Sequence, residues 1–418
     1  MTAPEASHNM RIDTDRLVRR LTELGAVGGL QGGGVCRLAL TEADKAGRDT
    51  VNGWMRGLGM SLTIDAIGNM IATFPGTEDI APVMMGSHID TVATGGLYDG
   101  NLGVLAGLEI VETLKESGIT TRRPIVVAAF TNEEGARFPP DMMGSAVDRG
   151  SLPLEDALAA TDAEGNDVAT ELARIGYAGA AAPGSVTPHC FLELHVEQGP
   201  VLERENITIG AVTGVQGISW KEYEFAGVSN HAGTTPMALR HDAGFVAASI
   251  SVAARRIATE MRGDQVATVG VMELDPGLVN VIARKARVTV DLRNTDDSLL
   301  KAAEARMAAE IKALAEKEGV GISERVLARF APVTFDPGMV DRVEASARHL
   351  GHSVKRLPSG AGHDAQMFAP DCPTAMIFVP SVGGISHNIK EFTEPDHIAA
   401  GANVLLRTVL ALANQEDA

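Results

Sequence analysis

Two glutamates stand side by side at the end of an apolar run. The run "IVVAAF" is followed by "TNEEGARF", which contains Glu133 and Glu134. Like charges in contact repel each other, and burial at the end of a strand strengthens that repulsion because it removes water. Either the pair lies in water and caps the helix that follows, or a positively charged group such as a metal ion holds it in place.

Other side chains that can bind a metal also follow apolar runs. They are nitrogen and oxygen donors with no thiolate among them, a set that suits Zn, Mn or Co. They are His88 and Asp90 in "GSHIDT", Asp99 in "GGLYDGNLG", His195 and Glu197 in "LELHVEQGP", and His387 in "GGISHNIKE". A lone histidine is more often an ordinary polar side chain than a ligand. Four loops that each supply a histidine or a carboxylate favour one shared site, although spacing alone does not prove it.

The elements that must position these residues alternate between strand and helix. Strands are predicted in "MSLTIDAIGNMIATF" (a pair), "APVMMGSH", "RRPIVVAAF" and "TAMIFVPSVGG". Helices are predicted around Leu17, Leu21 and Leu24, from "TEAD" onward, in "NLGVLAGLEIVETLKESG", and in "PDHIAAGANVLLRTVLALAN". This order indicates an α/β domain with a mostly parallel sheet and helices on both faces. Such sheets bind ligands at the carboxyl ends of their strands, where His88 and Glu133 fall.

The middle of the chain has a different order of elements. Strands are predicted in "ISWKEYEFAGV", "QVATVGVMEL", "ARVTVDLRN" and "VGISERVLARF". Two helices separate them, and the second has Leu300, Ala303, Met307, Ile311 and Leu314 along one side. The order β-α-β-β-α-β is that of a ferredoxin-like α+β sandwich. We therefore predict a larger α/β domain formed by residues 1–212 and 330–418, with residues 213–329 inserted as a second domain.

Composition and charge exclude several classes of protein. The chain has 418 residues, 45% of them hydrophobic, which suits a globular protein of two or three domains. A formal net charge of −18 argues against nucleic acid or an anionic membrane as a partner. Three distant cysteines indicate neither a disulfide framework nor a thiolate zinc site. Because we find no signal peptide and no apolar run of about 18 residues, we expect a cytoplasmic protein that binds no membrane.

Several motifs together resemble those of a known family. The chain is similar to the M20 metallopeptidase-like amidohydrolases, and within them to the carbamoylase branch: N-carbamoyl-L-amino-acid hydrolases, β-ureidopropionases and allantoate amidohydrolases. The matching stretches, in the expected order, are "GSHIDTVATGGLYDGNLGVLAGLE", "TNEEGARF", "LELHVEQGPVLE", "GVSNHAGTTPM", "VDLRNT", "SGAGHDAQ" and "ISHNIKE". The resemblance implies a di-metal hydrolase domain in which the inserted sandwich is a lid and dimerisation domain.

The resemblance also implies two divalent metal ions per subunit, which could be Zn²⁺, Mn²⁺, Co²⁺ or Ni²⁺. His88, Asp99 and His195 would hold one ion, and Asp99, Glu134 and His387 would hold the other. Asp99 would bridge the two. A histidine at position 195, where many M20 peptidases have an acid, indicates the carbamoylase branch.

Two acids beside these ligands receive separate roles. Asp90 would orient His88 through a hydrogen bond. Glu133 would be the general base, which takes a proton from a water between the ions and passes it to the leaving nitrogen. On this interpretation, the charge of the metal makes Glu134 tolerable beside Glu133.

The resemblance assigns further residues to the substrate. His231 would stabilise the oxyanion in the active site of the neighbouring subunit, so the protein would be at least a homodimer. The alternative for His231 is a turn residue hydrogen-bonded within "NHAGTTP", and the pattern alone makes Arg293 a solvated strand residue paired with Asp291. By resemblance Arg293 would bind the substrate carboxylate. The remaining assignments are Asn280 for the same carboxylate, Gln198 for the carbamoyl end, and Gly362 and His363 for the pocket wall.

We therefore expect metal-dependent hydrolysis of N-carbamoyl-L-amino acids to the amino acid, carbon dioxide and ammonia. The substrate would be a small ureido carboxylate. Allantoate is the alternative substrate within the branch, although Ile218 and Trp220 in "VTGVQGISW" provide apolar surface that favours amino-acid substrates. An M20 aminopeptidase or dipeptidase is the alternative outside the branch, and a catalytically inactive binding protein on the same scaffold is a third.

Overall fold

The protein contains two β-sheets. The structure, a computed structural model, describes residues 10–261 and 263–416. The strands are β1 (Ser61–Ile64), β2 (Met70–Phe74), β3 (Val83–His88), β4 (Ile125–Phe130), β5 (Cys190–Val196), β6 (Ile209–Val215), β7 (Gly217–Ala226), β8 (Val266–Thr268), β9 (Met272–Asp275), β10 (Lys285–Asn294), β11 (Gly321–Phe330), β12 (Val333–Thr334), β13 (Val354–Ser359) and β14 (Thr374–Val379).

Helices accompany both sheets. They are α1 (Thr14–Ala26), α2 (Glu42–Gly57), α3 (Asn101–Glu116), α4 (Met143–Asp148), α5 (Leu154–Ala159), α6 (Val168–Ile175), α7 (Val201–Glu205), α8 (Ala243–Glu260), α9 (Asp297–Glu318), α10 (Pro337–His349), α11 (Ala365–Phe368) and α12 (Pro395–Ala413). No helix within the described ranges combines the length and the apolar character that crossing a membrane requires.

Four parallel strands form the centre of the larger sheet. The strand order is β1-β2-β4-β3-β5-β14-β6-β12, and β13 also pairs with β6. Strands β4, β3, β5 and β14 run parallel, whereas β2 and β6 flank them in the antiparallel direction. The four central strands are buried along their whole length. This explains why their sequences are mostly apolar, although β5 also buries Glu193 and His195. The predicted mixed α/β fold with a mostly parallel centre is confirmed.

The helices of this sheet begin and pack as their sequences predict. Helix α1 buries Leu17, Leu21 and Leu24, and α2 begins after Thr41, whose side chain accepts a hydrogen bond from the Asp44 amide. Helix α3 is buried on nearly all sides and packs on β3 and β5, and α12 packs on β14 and β5. Because α3 follows β3 directly, its first residues lie at the carboxyl edge of the sheet.

The chain folds as two compact units. Unit 1 comprises the described residues up to Thr213 and from Thr334 onward, and unit 2 comprises Gly214–Val333. In unit 2 the strand order is β11-β7-β10-β8, with β9 also paired to β10, and every pairing is antiparallel.

Helices α8 and α9 cover one face of the unit 2 sheet and form its core. Along β10 the residues alternate between buried and half-buried, so that the opposite face is open. Thr289, Asp291 and Arg293 lie on this open face, and Val288, Val290 and Leu292 lie in the core.

Two details of unit 2 differ from the sequence predictions. The single strand expected over residues 265–274 is divided into β8 and β9. Between them the amide of Val271 donates to the Thr289 hydroxyl, at 3.0 Å, so that a side chain replaces a main-chain acceptor. On α9, Leu314 is only half-buried and the smaller Ala315 takes the core position.

Candidate metal centre

The predicted ligands lie at the carboxyl edge of the four parallel strands. His88 ends β3, and His195 lies one residue before the end of β5. Glu133 and Glu134 follow β4, and His387 follows β14 after a loop. Asp99 lies in the turn that leads from β3 into α3. Parallel strands end at the same edge of a sheet, and this shared direction brings side chains from distant parts of the chain together.

One buried group of donors consists of His88, Asp99 and His195. Asp99 Oδ1 lies 3.6 Å from His88 Nε2 and 3.1 Å from His195 Nε2. Two ligands of one tetrahedral zinc ion, each bound at about 2.1 Å, lie about 3.4 Å apart. Asp99 Oδ1 therefore lies from each histidine nitrogen at about the distance expected for two ligands of one ion, and the three ligand atoms lie within 4.8 Å of one another.

A second group shares Asp99 with the first. Asp99 Oδ2 lies 3.5 Å from His387 Nε2, which lies 3.2 Å from Glu134 Oε2. This group is more accessible than the first, because half of the His387 side chain is exposed. Asp99 thus contributes one oxygen to each group.

The histidine tautomers show that these residues suit a cation. His88 Nδ1 donates to the main-chain oxygen of Asp90, at 3.0 Å, and His195 Nδ1 donates to that of Val196, at 2.8 Å. In the neutral histidines each Nε2 is therefore an acceptor, and both lie within 3.6 Å of Asp99 Oδ1, which is also an acceptor. His195 Nε2 in addition accepts a hydrogen bond from the Gly100 amide. Acceptors that converge in this way need a proton or a metal ion between them. The donor set and its geometry fit a divalent metal site.

The charges of the site lead to the same conclusion. Burial raises the pKa of the Glu133 carboxyl well above its usual value, against the lowering effect of His88. Burial also acts to raise the pKa of Asp99, but His195 and His88 lower it well below its usual value. A hydrogen bond to Glu134 raises the pKa of His387 to about 9. Bound protons therefore balance the carboxylates, and divalent cations could replace them.

Asp90 supports the site differently from the sequence prediction. Its carboxylate was expected to orient His88, but Oδ1 lies 3.9 Å from His88 Nδ1, and the main-chain oxygen of Asp90 makes the hydrogen bond instead. The carboxylate accepts from the amides of Glu133 and Glu134, at 3.2 and 3.3 Å. Asp90 therefore fixes the main chain that carries the glutamate pair.

Gly100 is required for the approach of the two histidines. Its amide donates to His195 Nε2 at 3.1 Å, and its φ angle is +66°. A Cβ atom at this position would lie 2.4 Å from Nε2 and Cε1 of His88. Only glycine combines this backbone conformation with the space that the His88 ring occupies.

Strained backbone marks three loops of the site. Asn132, Gln198 and His387 have φ angles of 55°, 57° and 52°. Residues with side chains rarely adopt such angles, at a cost of about 1–3 kcal/mol each, and those that do cluster at functional sites. Asn132 directly precedes Glu133, so its conformation sets the direction in which the glutamate pair leaves β4.

Three supporting residues were not identified from the sequence. The Ser386 hydroxyl lies 2.9 Å from Asp99 Oδ2 and 3.0 Å from Glu391 Oε2, so its one proton can be donated to either carboxylate. Glu391 also accepts from the amides of Tyr98 and Asp99, both at 3.1 Å. An acid four residues after His387, in "ISHNIKE", was the available signal for Glu391.

The third supporting residue that was not identified from the sequence is Arg37, which is fully buried. Its guanidinium donates to the main-chain oxygen of Ile89 at 2.7 Å and to Asn101 Oδ1 at 2.8 Å. It thereby connects the His88 turn to the start of α3. In "VCRLAL" nothing in the local pattern distinguishes this arginine from a surface residue.

The substrate residues predicted in unit 1 lie at different depths. Gln198 Nε2 donates to Asp99 Oδ2 at 2.8 Å and lies 3.4 Å from His387 Nε2, so this side chain is in the site. His363 is buried beside His195. The two rings lie edge-on, with centroids 4.5 Å apart, and His363 Nε2 contacts the Ser359 hydroxyl. Gly362 is half-buried beside Met142.

The remaining predicted residues belong to unit 2. His231 is exposed, and its Nδ1 accepts from the amides of Gly233 and Thr234, at 3.0 and 3.3 Å. Asn280 is exposed on the neighbouring segment, where its main-chain oxygen accepts from the Ala232 amide at 2.9 Å.

Arg293 lies elsewhere on unit 2, on strand β10. Its guanidinium pairs with Asp291 at 2.9 Å. The pairing expected from the strand pattern alone is therefore present.

Comparison with known proteins gives one consistent result. Residues 84–411 match the family described as peptidase family M20/M25/M40. An N-carbamoyl-L-amino-acid amidohydrolase from Rhizobium meliloti is 44% identical over 414 residues, 99% of each chain. An N-carbamoyl-L-amino acid amidohydrolase from Geobacillus stearothermophilus is 40% identical over 412 residues, 97% of this chain and 100% of that protein.

A solved structure extends the similarity to three dimensions. An amidase of the hydantoinase/carbamoylase family from Burkholderia multivorans matches with a TM-score of 0.95 at 42% identity, covering 98% of this chain and 100% of that chain. The resemblance deduced from the sequence motifs is confirmed. The chain belongs to the peptidase family M20/M25/M40.

Proposed function

We propose that this protein hydrolyses the N-carbamoyl group of N-carbamoyl-L-amino acids, releasing the amino acid, carbon dioxide and ammonia. The observation that carries the proposal is full-length similarity, at 44% and 40% identity, to two enzymes named for this activity. The site supports it, because two donor groups share Asp99 and an acid that belongs to neither group, Glu133, lies beside them.

Two divalent ions per subunit would be held by these donor groups. His88, Asp99 and His195 would hold one, and Asp99, Glu134 and His387 the other, with Zn²⁺, Mn²⁺, Co²⁺ and Ni²⁺ all suited to such ligands. Bound there, the ions would polarise the carbamoyl oxygen and lower the pKa of water. Asp99 Oδ2 accepts from Gln198 and Ser386, and these hydrogen bonds would hold its carboxylate in the bridging orientation.

Glu133 would transfer the proton. Its Oε2 lies 3.4 Å from His88 Nε2, and burial raises the pKa of its carboxyl well above the usual value. A carboxylate of increased basicity is a better acceptor for the proton of the attacking water. The same carboxyl would then protonate the leaving nitrogen, so Glu133 returns to its ionised form in each cycle.

Unit 2 would provide the groups that bind the substrate. In His231, Nδ1 accepts two main-chain hydrogen bonds, so the neutral ring carries its proton on Nε2. This Nε2–H group would donate to the carbamoyl oxygen as it becomes negative. Arg293 and Asn280, also in unit 2, would bind the carboxylate. From unit 1, Gln198 would bind the carbamoyl end, and Gly362 and His363 would support the pocket. Unit 2 would act as a lid.

A homodimer would form through unit 2. Nearly all large hydrophobic side chains that are exposed in the described ranges lie in residues 214–333, the exceptions being Val201 and Phe392. Phe245 and Val252 are exposed on α8, which packs beside the edge strands β8 and β9, where Met272 is exposed. Such a surface and an open sheet edge favour pairing with a second copy. In that dimer His231 would act in the partner's site.

Val252→Asp tests this surface. The variant should be a monomer in light scattering, and a dimer that forms as in the parent would show that the proposed surface is not the interface.

A substrate panel tests the proposed activity. Metal-reconstituted protein would be given several N-carbamoyl-L-amino acids, one D-enantiomer, N-carbamoyl-β-alanine, allantoate and a dipeptide, with ammonia and free amine both measured. The proposal predicts rapid release of both products from the L-carbamoyl compounds and none from the D-form. If only allantoate released ammonia, allantoate would be the substrate instead of N-carbamoyl-L-amino acids. If only the dipeptide released free amine, the reaction would be peptide hydrolysis.

A further inference from the structure

The guanidinium of Arg293 is held on two sides. Its Nε lies 3.1 Å from both carboxylate oxygens of Asp291, and its Nη2 lies 2.9 Å from Asp291 Oδ2. Its Cζ lies 5.7 Å from the centre of the Trp220 ring, within the range of a cation–π contact. Asp291 precedes Arg293 by two residues on the open face of β10, and Trp220 faces Asp291 across the strand pair. Asp291 therefore contacts one edge of the guanidinium, and the Trp220 ring lies near its face.

Another arginine on the same open face has a different environment. Arg287 donates to Glu222 and, through two nitrogens, to Glu273, so two carboxylates surround it. Arg293 pairs with Asp291, its neighbour on the same strand, and about a quarter of each of these two side chains is exposed. A ligand can therefore reach this pair, and the guanidinium that it would meet has a defined orientation.

We propose that Asp291 and Trp220 are positioning residues that fix Arg293 in the orientation needed to bind the substrate carboxylate. The inference rests on the proposed function of Arg293 as the carboxylate anchor. A free arginine side chain loses rotamer freedom when it binds, and a guanidinium that is already fixed avoids much of that loss. Asp291 would thus increase affinity for an anion even though it is itself negatively charged.

The direction in which the affinity for the substrate anion changes when Asp291 is removed distinguishes a positioning role from an effect of its charge alone. If only charge mattered, removing Asp291 would strengthen anion binding. The gain would be less than about twofold, because both carboxylates would be in contact with water and salt, which screen the repulsion between them. Losing the fixed orientation would weaken binding by up to about tenfold. The positioning role therefore predicts weaker binding after Asp291→Asn.

The test compares an N-carbamoyl-L-amino acid with its carboxamide, which lacks the anionic group. In Asp291→Asn we expect KM for the acid to rise about fivefold, with kcat within about twofold and the carboxamide kinetics unchanged. Trp220→Leu should shift the same KM, and Trp220→Phe should restore it because it keeps an aromatic face. These aromatic variants test the proposal independently if Asp291→Asn fails to fold.

Two further variants make the outcomes distinct. Glu273→Gln is the matched control, because it also removes one negative charge from the open face, but the carboxylate it removes pairs with Arg287. This variant should leave KM and kcat unchanged for both the acid and the carboxamide. Arg293→Ala should abolish the preference for the acid. If Arg293→Ala abolishes it but Asp291→Asn leaves KM unchanged or lowers it, the positioning role is wrong and the anchor stands. If Arg293→Ala keeps the preference, the anchor assignment is wrong and the positioning role falls with it.

Discussion

Replacing Glu133 by glutamine should separate proton transfer from metal binding. Glutamine has nearly the same shape as glutamate, but it cannot accept a proton from water. Glu133 lies beside His88, with 3.4 Å between Oε2 and Nε2, yet it belongs to neither of the donor groups that share Asp99. Glu133→Gln should therefore retain its metal and its fold and lose most of its turnover.

The expected loss follows from the role of a general base. Such a group typically contributes about 10²- to 10⁴-fold to the rate, which corresponds to about 3–5 kcal/mol of activation free energy. The stability of this variant, unlike its turnover, should not decrease. Because burial raises the pKa of Glu133, its ionisation in the folded state costs stability as the pH rises above the unfolded value. The metal-free variant should therefore be at least as stable as the parent at pH 7–8.

The assay measures kcat from ammonia release, metal content by mass spectrometry, and thermal unfolding by circular dichroism. Glu134→Gln is the matched comparison, because it makes the same chemical change one residue further along. Glu134 lies 3.2 Å from His387 in the second donor group, so this variant should lose metal as well as turnover. The reasoning is refuted if Glu133→Gln keeps kcat within about tenfold of the parent, or if it loses metal as Glu134→Gln does.

Two further predictions concern the metal ligands. The pKa of His387 is raised to about 9 by its hydrogen bond to Glu134, so the ring is protonated at pH 7 and must lose its proton to bind a metal. Titration calorimetry of metal binding should show proton release and a metal affinity that rises with pH up to about 9. The His387→Asn variant should release fewer protons. A binding enthalpy that does not depend on the buffer would contradict this prediction. Gly100→Ala should lose metal while remaining folded, because its methyl group would overlap the His88 ring; full metal content would show that the loop can move aside.

Much of the site could be predicted because it depends on the direction of the strands. His88, Glu134 and His195 lie at or just after the ends of buried strands, and His387 follows a buried strand after a loop. Parallel strands bring these ends to one edge. The sequence therefore indicates that His88, Glu134, His195 and His387 meet, although more than 250 residues separate the first from the last. The family motifs then predict that Asp99 is shared between the two groups, and the structure places one of its oxygens near the other donors of each group.

The supporting contacts could not be predicted because they involve main-chain atoms or tertiary burial. The Asp90 carbonyl, rather than its carboxylate, contacts His88, and no pattern of side chains reports which main-chain oxygen faces a ring. Arg37 is buried because α1, the turn after β3 and the start of α3 surround it. His363 lies behind His195 because of the packing of β14 and α11, which the motif "SGAGHDA" does not reveal.

The most direct test of metal-dependent carbamoyl hydrolysis is a metal titration of chelator-treated protein, with ammonia and free amino acid released from an N-carbamoyl-L-amino acid as the readout. The proposed site predicts no release from the metal-free protein, and recovery as about two ions bind to each chain, as a two-metal site requires. The two products should appear in equal amounts. Full activity without metal, or free amine without ammonia, would contradict the proposed function.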